Sequence, residues 1–217
     1  MSLLEKITYL TLLIILLVGI YFDFSDQAFF ENSYAREDGI LENTTAVMLF
    51  LGGALMFYRF LRLGRKRSGW FKFVTLGVAF ALLFVAGEEI SWGQRLFDVE
   101  STEFFLENNV QEETNFHNLE VGGVKLNKLI FGQILTVFIL VYLIVFPILF
   151  KRWKKFGTLV HKFAIPIPKT HHAIAYLVCL ALLFFISSGK KWELQELTLS
   201  FIFFFILWKP LNNIYQD

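Results

Sequence analysis

The chain has few of the residues and motifs from which soluble enzymes build their sites. Its single cysteine, Cys179, lies within an apolar run, which excludes a disulfide framework and any zinc or iron–sulfur site made of several cysteines. Neither a G-x-G-x-x-G loop nor a P-loop pattern occurs, so we do not expect ATP-driven chemistry within this chain. Charged residues make up only 18% of the sequence, too few for an ordinary soluble domain.

The composition is that of a membrane protein. Of the 217 residues, 56% are hydrophobic and 27 are phenylalanine, and the mean hydropathy is +0.56. At roughly 20 apolar residues per bilayer crossing, this length allows about six spans and no separate soluble domain. We therefore predict a single all-α, polytopic domain over residues 1–217, with an uncleaved first span. The predicted transmembrane helices cover about 7–22, 43–60, 70–87, 128–150, 171–188 and 194–209.

The distribution of charge predicts the orientation. The loops 59–72 and 151–169 each carry six basic residues and no acid, so the positive-inside rule places both in the cytoplasm, together with both termini. Of the 19 acidic residues, 17 then lie on the other face. We predict a bacterial plasma membrane location with membrane lipid as partner, and no nucleic-acid site. The oligomeric state is left open.

The cytoplasmic face also carries three histidines. His161, His171 and His172 lie near prolines on this side, and we interpret them as interface residues rather than metal ligands.

Acidic residues recur at the outer ends of the predicted helices. Asp38, Glu42 and Thr45 have the i, i+4, i+7 spacing that places them on one helix face. A helix N-terminus that favours acids would explain Asp38 but not Glu42, which lies a turn deeper. Either a cap or a binding site is compatible with this segment.

The most specific signal is the string GEEISWGQR, which follows the third apolar run. If the helix continues through it, one face carries Glu88, Ser91, Trp92 and Arg95. Arg95 then reaches back towards Glu88, while Trp92 anchors at headgroup level. Glu89 points towards a neighbouring helix. The alternatives are a binding or catalytic role and an interfacial acid pair capped by arginine.

A long external segment follows, over 96–125. Ser101-Thr102-Glu103 predicts the start of a short interfacial helix that dips Phe104 and Phe105 into lipid. The amide-rich stretch after it, over 108–118, contains His117. This stretch is either a solvated loop or a segment that folds back and presents His117 to the acids.

The topology places all these acids, together with Glu193 and Glu196 of the last helix, at one depth on one face. For Glu193 and Glu196 alone, an ordinary helix start is the alternative. Carboxylates and an imidazole that converge in a partly dry pocket favour a divalent cation, whose identity the sequence leaves open. The predicted metal ligands are Asp38, Glu42, Glu88, Glu89, His117, Glu193 and Glu196.

Three resemblances bear on function. GEEISWGQR followed by Asn109, Gln111, Glu113, Asn115, His117 and Asn118 resembles a pattern of uncharacterised bacterial multi-pass membrane proteins, which implies no activity. Glu88-Glu89 with the later Phe116-His117-Asn118 is similar to membrane CAAX-type proteases, where paired glutamates and histidine activate water. This chain has its arginine six residues after the second glutamate, further than that motif has it, and lacks the second histidine.

The third resemblance is to alkaline ceramidases. Glu31-Asn32-Ser33-Tyr34 leading to Glu42-Asn43-Thr44 looks like the calcium-binding segment of that family. The histidine pair that holds the family's zinc has no external counterpart here.

These patterns lead to a functional hypothesis with two alternatives. The first is a metal-assisted hydrolase or transferase that acts on a lipid or lipid-linked substrate. Its predicted catalytic residues are Glu88, Glu89 and His117, and its predicted substrate-binding residues are Arg95, Trp92 and Asn118, with Arg95 holding an anionic headgroup. The alternatives are a noncatalytic subunit or sensor, and a cation or proton transporter.

Overall fold

The structure, a computed structural model, describes residues 1–116, 119–121, 124–125 and 134–215. Helices account for nearly all of its regular structure. The remainder is one antiparallel pair of two-residue strands. The α-helices are α1 (Leu3–Ser25), α2 (Gln27–Phe29), α3 (Ile40–Leu63), α4 (Gly69–Glu89), α5 (Gln94–Phe97), α6 (Glu103–Asn108), α7 (Leu135–Leu140), α8 (Phe146–Arg152), α9 (Lys154–Lys162), α10 (Thr170–Leu183) and α11 (Lys191–Trp208). The strands are β1 (Glu120–Val121) and β2 (Val124–Lys125).

Four helical segments are long and apolar enough to cross a membrane. They are Leu3–Ser25, Ile40–Lys66, Gly69–Glu89 and Leu135–Arg152. Helix α10 is apolar but shorter, and α11 carries three ionisable residues near its start. The predicted all-α membrane architecture is therefore present, with four candidate spans in the described residues rather than six.

The first helix is fixed at its start by its own sequence. Ser2 Oγ accepts from the Glu5 backbone N–H at 3.2 Å, and Glu5 Oε2 accepts from Ser2 N–H at 2.5 Å, which is a capping box. At 1.5 Å per residue, the 23 residues of α1 extend about 34 Å, enough for a bilayer core.

Helices α3 and α4 form a tightly packed hairpin. A basic 3₁₀ turn, Gly64–Lys66, joins them. Gly53 allows the close approach, since a Cβ atom at this position would lie 2.8 Å from Leu83 Cγ and 3.1 Å from the Ala79 carbonyl oxygen. Ser68 begins α4 by accepting from the Phe71 N–H at 3.2 Å.

Helix α11 is the most enclosed element and packs against α3, α10 and α1. Arg59 of α3 reaches its far end, where the guanidinium donates to the carbonyl oxygens of Leu207 and Trp208. The same group lies 4.1 Å from the centre of the Tyr215 ring. Because helix ends leave carbonyls without intrahelical partners, this arginine caps α11 and joins it to α3.

The fourth span is continuous but irregular. A π-helical turn, Val141–Val145, separates α7 from α8, and Pro147 lies at the start of α8. Proline lacks the N–H that would continue the α-helical pattern, which accounts for the wider turn before it. The predicted beginning of this span, 126–133, lies outside the described residues.

The basic loop 151–169 contains a helix that the sequence interpretation did not include. Helix α9 exposes its lysines and buries Val160 completely. The chain after α11 packs on the residues that follow α9. There the Asn212 side chain donates to the Ile165 carbonyl oxygen at 2.8 Å and accepts from the Ile167 N–H at 3.1 Å.

Candidate functional site

The third long helix ends at Glu89, two residues past the predicted span 70–87. It does not continue to Arg95, so the helical face that would carry Glu88, Ser91, Trp92 and Arg95 does not form. Ser91, Trp92 and Gly93 follow with φ of 46°, 56° and 74°, in the left-handed region that glycine adopts readily and other residues rarely do.

This reversal folds Trp92 back onto α4. Its Nε1 donates to Glu88 Oε1 at 2.7 Å, and its ring covers Gly87, where a Cβ atom would lie 2.8 Å from the indole. Trp92 is half exposed and also contacts Phe84 edge to face, with 5.3 Å between ring centroids. Much of GEEISWGQR thus builds a tight turn.

The amide-rich segment folds back over this turn. Phe116 N–H donates to the second oxygen of Glu88 at 2.6 Å. Ser91 Oγ donates to Glu113 Oε2 at 2.5 Å and accepts from Asn115 Nδ2 at 2.8 Å. The described part of this segment therefore folds back, whereas the predicted approach of His117 to the acids lies outside the described residues.

Further hydrogen bonds hold the segment in place. Asn109 Nδ2 donates to Asn115 Oδ1 at 2.9 Å, and Gln94 Oε1 accepts from Thr114 N–H at 2.8 Å. The short helix predicted after Ser101 and Thr102 is present as α6. Phe104 is exposed, but Phe105 turns inwards against Phe116, at 5.8 Å between ring centroids, rather than into lipid.

Four buried or partly buried carboxyl groups from three helices lie near one another beneath this cover, and we call this group the acidic pocket. Its members are Glu42 of α3, Glu89 of α4, and Glu193 and Glu196 of α11. Glu42, Glu89 and Glu193 are each less than 10% exposed, and Glu196 is partly buried. Glu89 interacts electrostatically with the other three, so the helices bring like charges together away from bulk water.

A positive charge faces the acidic pocket from the start of α11. Lys190 interacts electrostatically with Glu42 and Glu193 and forms an ion pair with Glu37. The other Glu37 oxygen accepts from the Gln111 side chain, which links the folded-back segment to the pocket. Sequence reasoning missed Glu37, although it lies directly before Asp38.

The start of α3 also differs from the prediction. Helix α3 begins at Ile40, and Asp38 precedes it with φ 58°, so Asp38, Glu42 and Thr45 do not share one helical face. Asp38 instead contacts Glu42 through its backbone N–H, which donates to Glu42 Oε2. Beside this contact lies a groove of about 380 Å³, lined by Arg36, Asp38, Gly39, Ile40, Asn43, Thr44 and Val47.

Donor spacing in the acidic pocket is wider than in a compact metal site. Among the described residues, three acid, histidine or cysteine side chains have donor atoms within 4.8 Å of one another, and they are Glu5, His171 and His172. These residues lie at the opposite end of the bundle. His172 is completely buried, so its side chain does not face the lipid headgroups.

The predicted site residues therefore fall into three sets. The structure brings Glu42, Glu89, Glu193 and Glu196 together. Beside them it joins Glu88, at the end of α4, to Trp92 by a hydrogen bond, and it places Asp38 before α3, where its backbone contacts Glu42. His117 and Asn118 lie outside the described residues, as does the side chain of Arg95.

Comparison of the chain with protein-family models, with curated proteins and with solved structures finds no match. The resemblances carried by GEEISWGQR and by Glu31–Thr44 therefore stay predictions. The function of the acidic pocket rests on the chemistry of its own residues.

Proposed function

We propose that this protein spans a bacterial plasma membrane six times, with cytoplasmic termini, and that its extracytoplasmic acidic pocket binds a divalent cation. The cation serves hydrolysis or group transfer on a lipid or lipid-linked substrate. The observation that carries this proposal is the convergence of carboxylates from α3, α4 and α11 beside a groove at the outer start of α3.

The fifth and sixth spans are α10 and α11. Helix α10 is apolar, and the chain continues past it to Ser187 and Ser188, which bond to Asp23 at the outer end of α1. Helix α11 is enclosed by its neighbours. Polar side chains are tolerated in this protein environment, although they would not be tolerated against lipid.

The donor set favours a hard cation. Carboxylate oxygens suit magnesium, calcium or manganese, and magnesium in particular keeps several of its waters when bound. The wide spacing of the acidic pocket matches a cation that keeps part of its water shell. A metal-bound water is also the usual nucleophile of metal-assisted hydrolysis, with a nearby carboxylate as its base.

In this proposal Glu42, Glu89, Glu193 and Glu196 hold the cation, and Glu89 receives the proton of the attacking water. Asp38 and Glu88 contribute less directly, since Asp38 reaches Glu42 through its backbone and both Glu88 oxygens accept hydrogen bonds. His117 remains the proposed acid or base, and Arg95 and Asn118 remain proposed substrate contacts.

The groove beside Asp38 supports a lipid substrate. Ile40 is 82% exposed and Val47 is 56% exposed on its apolar side, and Arg36 is exposed at its polar side. An acyl chain matches the apolar part, and an anionic headgroup matches Arg36. Asp38, which lines the groove, donates its backbone N–H to Glu42 of the acidic pocket.

Cation binding is tested with the purified full-length protein and Mn²⁺, whose bound fraction is read by electron paramagnetic resonance. We expect Glu89→Gln and Glu196→Gln to weaken Mn²⁺ binding by about tenfold or more, the scale seen for changes around metal sites. Glu103→Gln, at an exposed acid of α6, is the matched control and should bind as the wild type does. Equal affinity in all four proteins would refute a cation site in the acidic pocket.

Enzymatic function is tested by the lipid profile of a deletion strain. A lipid should accumulate and return to its normal level with wild-type or Glu103→Gln protein, but not with Glu89→Gln protein. Cation binding by the acidic pocket with an unchanged lipid profile would instead favour the noncatalytic sensor.

A cation or proton transporter is the second candidate, and buried polar side chains along α11 favour it. Thr198 and Ser200 are buried, and Gln195 donates to the Tyr176 hydroxyl at 3.1 Å. Ion flux into vesicles that contain the protein, abolished by Glu196→Gln, would support this function over the enzyme.

A further inference from the structure

We propose that the cytoplasmic ends of α1 and α10 hold a second metal site, made of Glu5, His171 and His172, that binds a first-row transition-metal ion such as Zn²⁺. This site is independent of the acidic pocket, because its residues lie at the other end of the membrane helices.

The donor atoms already converge. Glu5 Oε1 lies 3.2 Å from His171 Nε2 and 3.7 Å from His172 Nε2. The three donors lie within 4.8 Å of one another, and the two imidazole rings meet edge to face at 4.3 Å.

These separations match a zinc coordination shell. Ligands bound to zinc at about 2.0–2.1 Å in a tetrahedron lie about 3.3 Å from one another. The two separations from Glu5, 3.2 and 3.7 Å, lie on either side of that edge length, and the separation between the two imidazole donors is within 4.8 Å.

A buried donor without a partner is the second observation that points to a ligand. His172 is completely buried, and its Nε2 has no hydrogen-bond partner. Such an orphaned nitrogen is costly unless something binds it. The hydroxyl of Tyr9, which also has no hydrogen-bond partner, interacts electrostatically with Glu5 beside it.

The carboxylate is oriented for this role. Glu5 Oε2 accepts from the Ser2 N–H, which leaves Oε1 facing the two imidazoles. Hydrogen bonds of this kind orient metal ligands in known sites.

Metal binding also requires one specific proton arrangement. His172 Nδ1 accepts from the Lys169 N–H at 3.3 Å, a long bond. A neutral imidazole that binds metal through Nε2 carries its proton on Nδ1, so the hydrogen bond from the Lys169 N–H to Nδ1 breaks when metal binds. Because Lys169 is only half buried, water can then accept from its N–H.

The class of metal follows from the donors. Two imidazoles and one carboxylate favour zinc, iron, cobalt, nickel or copper over magnesium and calcium, which prefer oxygen ligands alone. His171 is partly exposed, with 22% of its side chain accessible, so an ion can reach the site from the cytoplasmic side.

The test uses full-length protein purified in detergent, freed of metal by a chelator and titrated with Zn²⁺ and with Co²⁺. We expect one ion per chain to give the visible absorption of nitrogen-bound Co²⁺, which distinguishes it from any ion held by the carboxylates of the acidic pocket. His171→Ala and Glu5→Gln should each weaken binding by about tenfold or more. Glu5→Gln keeps an oxygen for the Ser2 contact, and His161→Ala, at an exposed histidine of α9, is the matched control.

The outcomes separate this site from the acidic pocket. Glu89→Gln protein should keep the Co²⁺ absorption, whether or not the proposed function holds. X-ray absorption of the zinc-loaded wild-type protein reads the ligands without any substitution and should show two imidazole nitrogens. Failure of the wild-type protein to bind Zn²⁺, an oxygen-only shell, or undiminished affinity in both His171→Ala and Glu5→Gln would overturn the proposal.

Discussion

Within GEEISWGQR, most side chains have a contact that explains their residue type. Gly87 leaves room for the Trp92 ring, and Glu88 accepts from the indole and from the folded-back segment. Gly93 adopts a left-handed φ, and Ser91 bonds to that segment. Only Glu89 among the two glutamates faces the acidic pocket, so adjacent residues of one type have different roles.

Gly87→Ala should destabilise the protein. The new methyl group would lie 2.8 Å from the Trp92 ring, and overpacking of this kind lowers the free energy of unfolding by about 1–3 kcal/mol. Gly77→Ala is the matched control within α4, since no atom lies within 4 Å of a Cβ there, and alanine stabilises a helix interior by up to about 1 kcal/mol.

Unfolding in mixed detergent micelles, followed by circular dichroism, measures both changes. If Gly87→Ala is as stable as Gly77→Ala, the close packing of Trp92 on Gly87 is wrong.

At the scale of elements, Asp23 joins α1 to the chain between α10 and α11. One carboxylate oxygen accepts from Ser187 N–H at 2.8 Å and from Ser187 Oγ at 3.0 Å, and the other accepts from Ser188 N–H at 3.2 Å. The site is buried, so these bonds are shielded from water. Asp26, three residues on, accepts only a local bond, from Phe29 N–H at 2.9 Å, among those the structure describes.

Asp23→Asn should therefore lower the free energy of unfolding by about 1–3 kcal/mol. The asparagine NH₂ group would face N–H groups that need an acceptor, and the charge-assisted hydrogen bonds of the carboxylate would be lost. Asp26→Asn should have little effect, since asparagine caps a helix about as well as aspartate does. Thermal unfolding of the two variants in the same detergent checks this difference, and equal losses would contradict the role given to Asp23.

The long helices could be predicted from the sequence, and the site only in part. Apolar runs located α1, α3, α4, α10 and α11 to within a few residues, because burial in lipid requires continuous hydrophobic sequence.

The turn after Glu89 could not be predicted, since it depends on the bond between Ser91 and Glu113, 22 residues apart. The Glu5 and His171 contact joins residues separated by 166 positions, and no local pattern indicates it. The grouping of Glu42 with Glu89 followed from topology alone, because alternating spans bring the same ends of helices together.

For the whole molecule, the proposed orientation rests on the position of its basic residues. The segments 59–72 and 151–169 carry 12 of the 14 lysines and arginines of the predicted cytoplasmic face, and the acidic pocket lies at the other end of α3 and α4.

Cysteine labelling in intact cells tests this orientation, in a Cys179→Ala background that removes the one native thiol. Val99→Cys, at a residue 58% exposed, should react with a membrane-impermeant maleimide, whereas Gly69→Cys should react only after permeabilisation. The reverse pattern would invert the topology and move the acidic pocket to the cytoplasm.

The polar start of α11 has a consequence for how the protein is made. Lys191, Glu193 and Glu196 fall within this 18-residue helix, and each such charge near the centre of a lone helix costs about 2.5–3.5 kcal/mol on the translocon scale, less towards its ends. A helix of this composition enters the bilayer poorly by itself. Helix α3, its packing partner, precedes it during synthesis. In the six-span arrangement proposed above, insertion of the α3 and α4 hairpin is therefore the condition for insertion of α11.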